Sequence, residues 1–297
     1  MITFDLKTLP DWETLAPGKY TFQIVARAGN YIDSNKSDPI EFTCEIPPDY
    51  LCFTAEEAGS TVAMAVNGTP TKDQAFETST DGTNWSVFTP GTTTITLANA
   101  GDKVYFRGDN TTVSESNSTY YKFIMSGEIA ASGNIMSLLD TTCKSTTISN
   151  NYCYYRMFNG CTSLTTAPAL PATTLASNCY RQMFRDCTSL TEAPALPATK
   201  LVSSCYAGMF RGCTSLTTAP ELPATTLEVS CYREMFYGCR GLKISATQTG
   251  EYTTAWRIPS TGEIASEARW WNNNMLTNTG GTFTANPSIN TTYYGAW

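Results

Sequence analysis

The sequence contains no histidine. Histidine is the commonest general base at neutral pH, a member of the usual hydrolytic triads and a frequent zinc ligand. Its absence excludes those catalytic arrangements and every zinc site that uses an imidazole. Charged residues are also scarce, at 15% of 297 residues. We therefore expect a protein that is not an enzyme and that holds neither a cofactor nor a metal ion.

Two further absences limit the partners. No run of 18 apolar residues occurs, which predicts no membrane insertion. Met1 to Pro10 lack the apolar core of a secretory signal, which predicts either that the chain does not cross a membrane by that route or that its leader has been removed. Residues 1–126 carry 8 basic and 16 acidic side chains. A phosphate-binding surface needs clustered Lys and Arg, so this acidic half argues against nucleic acid. Residues 153–240 carry 7 basic and 5 acidic side chains, too small an excess to define a patch.

What the chain does contain is a unit of 26 residues, written three times and begun a fourth. A period of this length is typical of repeat proteins, in which neighbouring units bury each other's apolar faces. Each unit has a Cys-Tyr pair, a Met-Phe pair, a second cysteine and a leucine at fixed offsets. The Cys-Tyr pairs begin at Cys153, Cys179, Cys205 and Cys231, and the second cysteines are Cys161, Cys187, Cys213 and Cys239.

The spacing inside one unit predicts its local structure. Cys179, Tyr180, Met183, Phe184 and Cys187 follow the offsets 0, 1, 4, 5 and 8, which indicate one face of a short helix. Polar residues before each helix are N-cap candidates and glycines after three of them would end it. The following Thr-Ser-Leu-Thr-Thr-Ala-Pro predicts one short strand per unit, stacked in parallel. The N-cap candidates are Asn178, Ser204 and Ser230.

The cysteines admit two readings. A zinc site of the common type needs paired cysteines two to four residues apart, whereas the gap inside each unit is eight. Because eight of the 11 cysteines occupy two repeated apolar positions, we expect buried thiols that pack as small apolar groups. Cys44 and Cys52 flank a Pro-Pro linker, and whether they pair stays open.

The run Met-Phe-x-Gly-Cys-Thr-Ser-Leu, with the Leu-Pro that follows it, resembles the BspA-like leucine-rich repeats of bacterial surface proteins. The resemblance covers about residues 127–245. This version, rich in Thr, Ala and Pro, is similar to repeats from gut Bacteroidales and their phages. The resemblance implies a curved solenoid, a role in binding or display, and no catalytic residue.

Residues 1–46 resemble the second half of a fibronectin-III or other Ig-like sandwich, on Leu15-Ala16-Pro17-Gly18 and the alternation Tyr20, Phe22, Ile24, Ala26. In that family the tyrosine folds back onto the preceding corner, which implies this role for Tyr20. The first strands of such a sandwich are missing, so we expect a second copy or another protein to complete it, and a homo-oligomer.

The predicted fold class is mainly β. Residues 1–46 form the partial module, residues 47–126 an Ig-like sandwich, residues 127–245 the solenoid with its N-terminal cap, and residues 246–297 a β-rich aromatic cap. In the sandwich, Asp81-Gly82 predicts a hairpin turn beside a packed Trp85. The first cap would cover the repeats with Ile135, Met136, Leu138 and Leu139, and Ile148 lies near the position of the later leucines, offset by one residue. The predicted sandwich strands are Leu51 to Ala55, Thr61 to Val66, Ala75 to Thr80, Trp85 to Phe88, Thr93 to Leu97, Lys103 to Arg107 and Tyr120 to Met125.

Two surfaces are candidates for binding. Trp270, Trp271 and Asn272 either close the end of the solenoid or stack on a sugar. Alternation in a strand would leave at most one of the two tryptophans free. The columns that vary between units are rich in Arg and Tyr, which are favoured at protein interfaces, although solvated side chains would also vary. The candidates in these columns are Arg181, Arg185, Arg211 and Tyr237.

Three functions remain. We favour a structural and binding protein of a phage virion, a fibre or surface decoration that contacts other virion proteins through its N-terminal module and a host-surface glycan or protein through the rest. The alternative is a BspA-like adhesin on a bacterial cell surface. A glycan-active hydrolase is a minor alternative, because it needs a carboxylate pair. Asp186 with Glu192 and Glu228 with Glu234 lie close in sequence, but in different columns.

Overall fold

The computed structural model describes residues 18–22, 27–28, 31–32, 40–44, 48–264 and 267–297. The chain divides into two units, Met1–Pro48 and Asp49–Trp297. The described residues are mainly β and form several sheets, as the sequence predicts.

The first unit contains two antiparallel strand pairs, β1 with β4 and β2 with β3. The predicted corner at residues 15–17 and the positions Ile24 and Ala26 lie outside the described residues. The strands are β1 (Gly18–Phe22), β2 (Arg27–Ala28), β3 (Tyr31–Ile32) and β4 (Ile40–Cys44).

The second unit begins with two facing sheets whose strands alternate buried and less buried residues. Strand order is β13-β12-β5-β10-β7-β8 in one sheet and β11-β6-β9 in the other. All seven strands predicted for residues 51–125 are confirmed to within a residue or two at each end, and Asp81-Gly82 lies between the antiparallel β7 and β8. These strands are β5 (Leu51–Ala55), β6 (Ser60–Asn67), β7 (Phe76–Ser79), β8 (Ser86–Phe88), β9 (Thr94–Leu97), β10 (Lys103–Arg107) and β11 (Tyr120–Ser126), followed by β12 (Ile129–Ser132) and β13 (Leu164–Thr166).

The predicted short helix in each repeat is wrong. Its residues form a series of tight turns instead, in which every fourth residue has a left-handed backbone. In the second repeat these residues are Asn178, Gln182 and Asp186, with φ of 59°, 58° and 60°. Asn178, Ser204 and Ser230 are therefore not N-caps, since each belongs to this left-handed series. We call residues 152–161, 178–187, 204–213 and 230–239 the turn segments.

Hydrogen bonding explains why turns replace the helix. Within one turn segment, alternate N–H groups bond to the carbonyl three residues back, as Met183 does to Tyr180 at 3.2 Å. The N–H groups between them donate to the next repeat: Tyr180 to the Cys205 carbonyl at 3.0 Å, and Phe184 to the Met209 carbonyl at 2.9 Å. An α-helix would use those same donors internally. The inward residues repeat every four residues. Over a stretch of only nine residues this period cannot be distinguished from the 3.6-residue period of an α-helix.

The predicted strand of each repeat is present in reduced form. The first repeat contains β13, which pairs in parallel with β12. The second and third copies make an isolated parallel bridge, Glu192 with Thr218, and a further bridge, Lys200 with Thr226, lies beyond the prolines. Prolines at the end of each copy have no N–H to donate, which limits the ladder to these bridges.

The invariant side chains point inward and stack in columns. The tyrosine rings of successive repeats are nearly parallel, and their centroids lie 5.6 to 6.0 Å apart. The phenylalanine column is spaced by 5.2 to 5.8 Å and continues into the sheets, because Phe123 of β11 stacks on Phe158 at 5.3 Å. Phe123 N–H also donates to the Met157 carbonyl at 2.8 Å. One hydrophobic core therefore runs from the facing sheets through all four repeats.

Both ends of the repeats are covered. At the first, a 3-10 helix (Ile135–Leu138) buries Ile135, Met136 and Leu138, Ile148 is also buried, and Leu139 is partly buried, as predicted for the cap. At the other, residues 270–279 form a fifth turn segment, in which Trp271 and Met275 accept from Tyr232 and Phe236 at 2.9 and 3.0 Å. A small sheet lies beside it, ordered β14-β16-β15. Its strands are β14 (Ile244–Ser245), β15 (Thr254–Arg257) and β16 (Thr292–Gly295).

Candidate binding face

The turn segments divide their residues into inward and outward pairs. Cys179, Tyr180, Met183 and Phe184 are buried, whereas the pairs after them, at 181–182 and 185–186, are in most repeats the more exposed ones. Each outward pair stacks above its copies in the next repeat, because the backbone ladder holds the repeats in register. We call the surface made by these pairs and the first residue of each turn segment the outward face. It carries all four of the Arg and Tyr candidates from the sequence.

The structure brings Arg211 and Tyr237 into contact. The Arg211 guanidinium lies 4.6 Å from the Tyr237 ring centroid and forms an ion pair with Glu234. The second oxygen of Glu234 lies 3.4 Å from Arg233 Nη2. The Tyr237 hydroxyl accepts from Asn278 Nδ2 at 3.4 Å. This cluster fixes the orientation of Arg211 and neutralises Glu234.

The other two arginine candidates lie on the outward face without contacting that cluster directly. Arg185 Nε donates to Asp186 Oδ2 at 3.1 Å, an exposed pair of small energetic value. Arg181 Nη1 donates to Asn178 Oδ1 at 3.2 Å.

A small cleft opens on the outward face at the third repeat. Ala207 and Gly208 stand where the neighbouring repeats carry Arg181 with Gln182 and Arg233 with Glu234. The missing side-chain bulk leaves a cavity of about 140 Å³. Ser204 and Ser230 line it together with those six residues.

The two tryptophans of the C-terminal candidate have different environments. Trp271 is 2% exposed and packs edge-on against Tyr232, with the ring centroids 6.3 Å apart. Trp270 is 54% exposed, and the Arg269 guanidinium lies 3.8 Å from its ring centroid. The Asn272 side-chain amide donates to the Pro287 carbonyl. One tryptophan is free, as predicted, although both lie in a turn segment rather than a strand.

Trp270 belongs to the outward face. Its φ is 58°, and it takes the place in the fifth turn segment that Ser230 takes in the fourth. The register follows from the Tyr232 N–H, which donates to the Trp271 carbonyl, and from the Glu234 N–H, which donates to that of Asn273. Trp270, but not the buried Trp271, is therefore part of the same surface as the Arg and Tyr candidates.

The eight repeat cysteines are confirmed as buried, unpaired thiols. Each second cysteine donates to the phenylalanine carbonyl of the layer before it, as Cys187 Sγ does to Phe158 O and Cys213 Sγ to Phe184 O, both at 3.0 Å. Burial raises the pKa of the Cys161 and Cys239 thiols to about 12, which keeps them protonated and unreactive. Cys52 is likewise free and buried. Cys44 lies outside the residues whose side chains are described.

Among the described residues, no cluster of three or more Cys, Asp or Glu side chains is arranged to hold a metal ion. No helix in the described ranges has the length and apolar composition needed to cross a membrane.

Sequence reasoning missed the fifth turn segment and the cleft. The fifth segment follows the fourth after 40 residues rather than 26, and its Trp271, Met275 and Thr279 keep only the four-residue spacing of the earlier units. The cleft had a signal: Ala207-Gly208 is the one small pair in two columns of otherwise long side chains.

No protein-family model matches the chain, and no curated protein or solved structure is significantly similar to it.

Proposed function

We propose that this protein is a non-enzymatic structural and binding protein displayed on a phage virion, as a fibre or surface decoration that adheres to the host surface. One observation carries the binding role. The inward columns of the repeats are invariant, whereas the outward columns vary and hold Arg181, Arg185, Arg211, Arg233 and Tyr237. A surface whose residues vary between repeats over an invariant core, with side chains that are frequent at interface hot spots, is typical of a scaffold that presents a recognition surface.

The finer fold assignment is part of this proposal. The repeats would form a BspA-like leucine-rich-repeat solenoid, and residues 47–126 an Ig-like sandwich. The motif Met-Phe-x-Gly-Cys-Thr-Ser-Leu supports the first assignment, and its resemblance to repeats of gut Bacteroidales and their phages supports the virion location. The two facing sheets at residues 51–132 support the second.

The N-terminal module would be the docking end. A fibronectin-III-like half-sandwich leaves an unpaired edge that a second copy, or another virion protein, can complete. Measuring the mass of the full chain in solution tests the homo-oligomer. A monodisperse monomer with strong amide protection across residues 15–45 would contradict completion in trans.

A bacterial cell-surface adhesin is the second candidate, because BspA-like repeats are also found in such proteins. The two differ in location. Mass spectrometry of purified virions would find the chain among the structural proteins if the first is right, whereas surface labelling of intact bacteria would find it there if the second is right. A hydrolase is disfavoured because Glu234 and Asp186 are each engaged by arginines.

Binding itself is tested with the purified chain on host cells and on a glycan array. We expect Trp270→Ala to weaken adhesion, and Trp297→Ala, which removes another exposed indole, to leave it unchanged, because Trp297 is not part of the outward face. Equal binding by both variants and the parent would remove Trp270 from the surface. Failure of the parent chain to bind host cells at all would contradict the adhesion proposal.

A further inference from the structure

We propose that the cleft at Ala207-Gly208 binds the carboxylate of an acidic monosaccharide, such as a uronic or sialic acid at the end of a host-surface glycan. This inference rests on the proposed function, since it names the ligand class of the outward face. Four features of the cleft carry it: its size, its charge, its donors and the way it is kept open.

The size fits one terminal group. At about 140 Å³ the cleft is smaller than the roughly 300–1,000 Å³ of pockets that enclose drug-sized ligands. Two layers of the repeats span it, and each layer adds 6.0 Å between tyrosine ring centroids. One sugar unit can therefore lie between Arg181 and Arg233, which stand in the same column two layers apart.

The charge of the lining is positive on a chain whose net charge is −7. Arg181 and Arg233 stand at opposite ends, and Glu234 is the one acidic group in the lining. That carboxylate forms an ion pair with Arg211, which comes from outside the lining. The other oxygen of Glu234 lies 3.4 Å from Arg233 Nη2, so this one carboxylate offsets one of the three positive charges of Arg181, Arg211 and Arg233. The site keeps a net positive charge, and a guanidinium matches the planar carboxylate of the ligand in two parallel hydrogen bonds.

The cleft is rich in hydrogen-bond donors. The Gln182 side-chain oxygen accepts a hydrogen bond from Arg156 Nε at 2.7 Å, so the Gln182 Nε2 amide remains free to donate to a ligand. This Nε2 lies 3.8 Å from the point that a Cβ on Gly208 would occupy. Ser204 and Ser230 add two hydroxyls, which can donate or accept. Guanidinium and amide donors suit a carboxylate, and the hydroxyls suit the ring hydroxyls beside it.

The cleft stays open because residue 208 is a glycine and has no side chain. A Cβ added at Gly208 would lie 3.2 Å from Gln182 Cγ, closer than ordinary packing allows. Any larger residue at 208 would push Gln182 over the cleft or fill it. Trp270 lies one layer beyond Ser230 in the same column. Its half-exposed indole therefore lies beside the cleft.

The test uses the full chain and four small probes: glucuronate and N-acetylneuraminate as acidic sugars, glucose as the neutral match, and acetate as the carboxylate alone. Calorimetric titration should show binding of at least one acidic sugar, no binding of glucose and weaker binding of acetate. Raising the salt concentration should weaken binding of the acidic sugar, because dissolved ions screen the attraction between its carboxylate and the arginines.

Two variants place the ligand. Gly208→Gln fills the cleft with the residue that the preceding repeat carries in this column at φ 58°, so the fold should tolerate it. Arg233→Gln removes one guanidinium. We expect each variant to weaken binding of the acidic sugar by about tenfold or more. Arg240→Gln, which removes an exposed arginine outside the outward face, should change that binding by less than about twofold.

The outcomes separate this inference from the proposed function. Unchanged acid binding in both Gly208→Gln and Arg233→Gln would overturn the cleft, as would equal binding of glucose or of acetate. If neither acidic sugar binds while the parent chain still adheres to host cells, the inference fails and the adhesion proposal stands. If the chain binds no host cell, the adhesion proposal fails separately.

Discussion

At the scale of single residues, the tyrosine column holds two buried hydroxyls that have no hydrogen-bond partner, those of Tyr180 and Tyr206. The first tyrosine of the column differs, because Tyr154 OH donates to the Ile135 carbonyl at 3.2 Å. A buried polar group without a partner lowers stability by about 1–3 kcal/mol, while a satisfied one contributes about 1 kcal/mol. The tyrosine hydroxyl therefore stabilises the fold at Tyr154 and destabilises it at Tyr180.

We predict that Tyr180→Phe leaves the free energy of unfolding unchanged or raises it by about 1 kcal/mol, and that Tyr154→Phe lowers it by about 1 kcal/mol. Both variants keep the ring in its stack, so each isolates one hydroxyl. Urea unfolding of the full chain measures both. A loss of stability in Tyr180→Phe equal to that in Tyr154→Phe would mean that a buried water satisfies the hydroxyl, contrary to this account.

The buried thiols predict a dependence of stability on pH. Burial raises the pKa of Cys153 to about 11 and those of Cys231 and Cys239 to about 12, whereas a thiol in the unfolded chain titrates near about 8.5. The folded state then keeps protons that the unfolded state releases. Stability is therefore complete below about pH 8.5 and is lost as the pH rises toward the folded values.

Each such thiol lowers the free energy of unfolding by up to about 1.4 kcal/mol per pH unit inside that window. Urea unfolding at pH 7.5, 8.5 and 9.5 measures the slope. Cys187→Ala should flatten the slope while lowering stability, and Met183→Ala, its match from the same repeat, should lower stability without changing the slope. A free energy that is constant from pH 7.5 to 9.5 would contradict buried, neutral thiols.

At the scale of elements, the turn segment is defined by its left-handed residues. Gly212 and Gly238 occupy the last such position in their segments, with φ of 77° and 76°. A Cβ at Gly238 would meet nothing closer than 3.9 Å, whereas one at Gly212 would collide with Asp186 Oδ1. The two glycines thus separate the effect of the backbone angle from that of crowding.

We predict that Gly238→Ala lowers the free energy of unfolding by about 1 kcal/mol, from the backbone angle alone. Gly212→Ala should lower it by more, because crowding adds to the angle. Adding Asp186→Gly to Gly212→Ala should recover the excess, since it removes the side chain in the way. If Gly212→Ala had the same effect in the parent chain as in the Asp186→Gly variant, the contact between residues 186 and 212 would be contradicted.

The same element shows how far the sequence could predict the fold. The strands of the facing sheets follow from alternation between turn residues, and the structure confirms them closely. The helix prediction was wrong because it treated one repeat alone, whereas the N–H groups of Tyr180 and Phe184 bond to another repeat. The outward arginines were predictable because the repeats align with one another. The cleft was not, since it depends on which long side chains flank a short pair.

At the scale of the whole molecule, the core is continuous from Phe53 in β5 to Trp256 in β15. Phe123 of β11 acts toward the first repeat as the phenylalanine of one repeat acts toward the next. Its carbonyl accepts a hydrogen bond from Cys161 Sγ at 3.2 Å, just as the Phe158 carbonyl accepts one from Cys187 Sγ. The facing sheets and the last turn segment thus cover the two open ends of the repeats. Between them the layers are interchangeable, because each meets its neighbours through the same columns.

Interchangeable layers predict that a whole repeat can be removed. Deleting residues 179–204 joins Asn178 to Cys205, which keeps every column and the backbone ladder in register. We expect this variant to unfold in one cooperative transition, with a smaller dependence on urea because less surface is buried. Deleting residues 181–204, two fewer, joins Tyr180 to Cys205, which moves Cys205 and Tyr206 into the outward places of Arg181 and Gln182 and should lower stability far more. Circular dichroism and urea unfolding compare the two; equal damage from both deletions would show that the repeats are not equivalent layers.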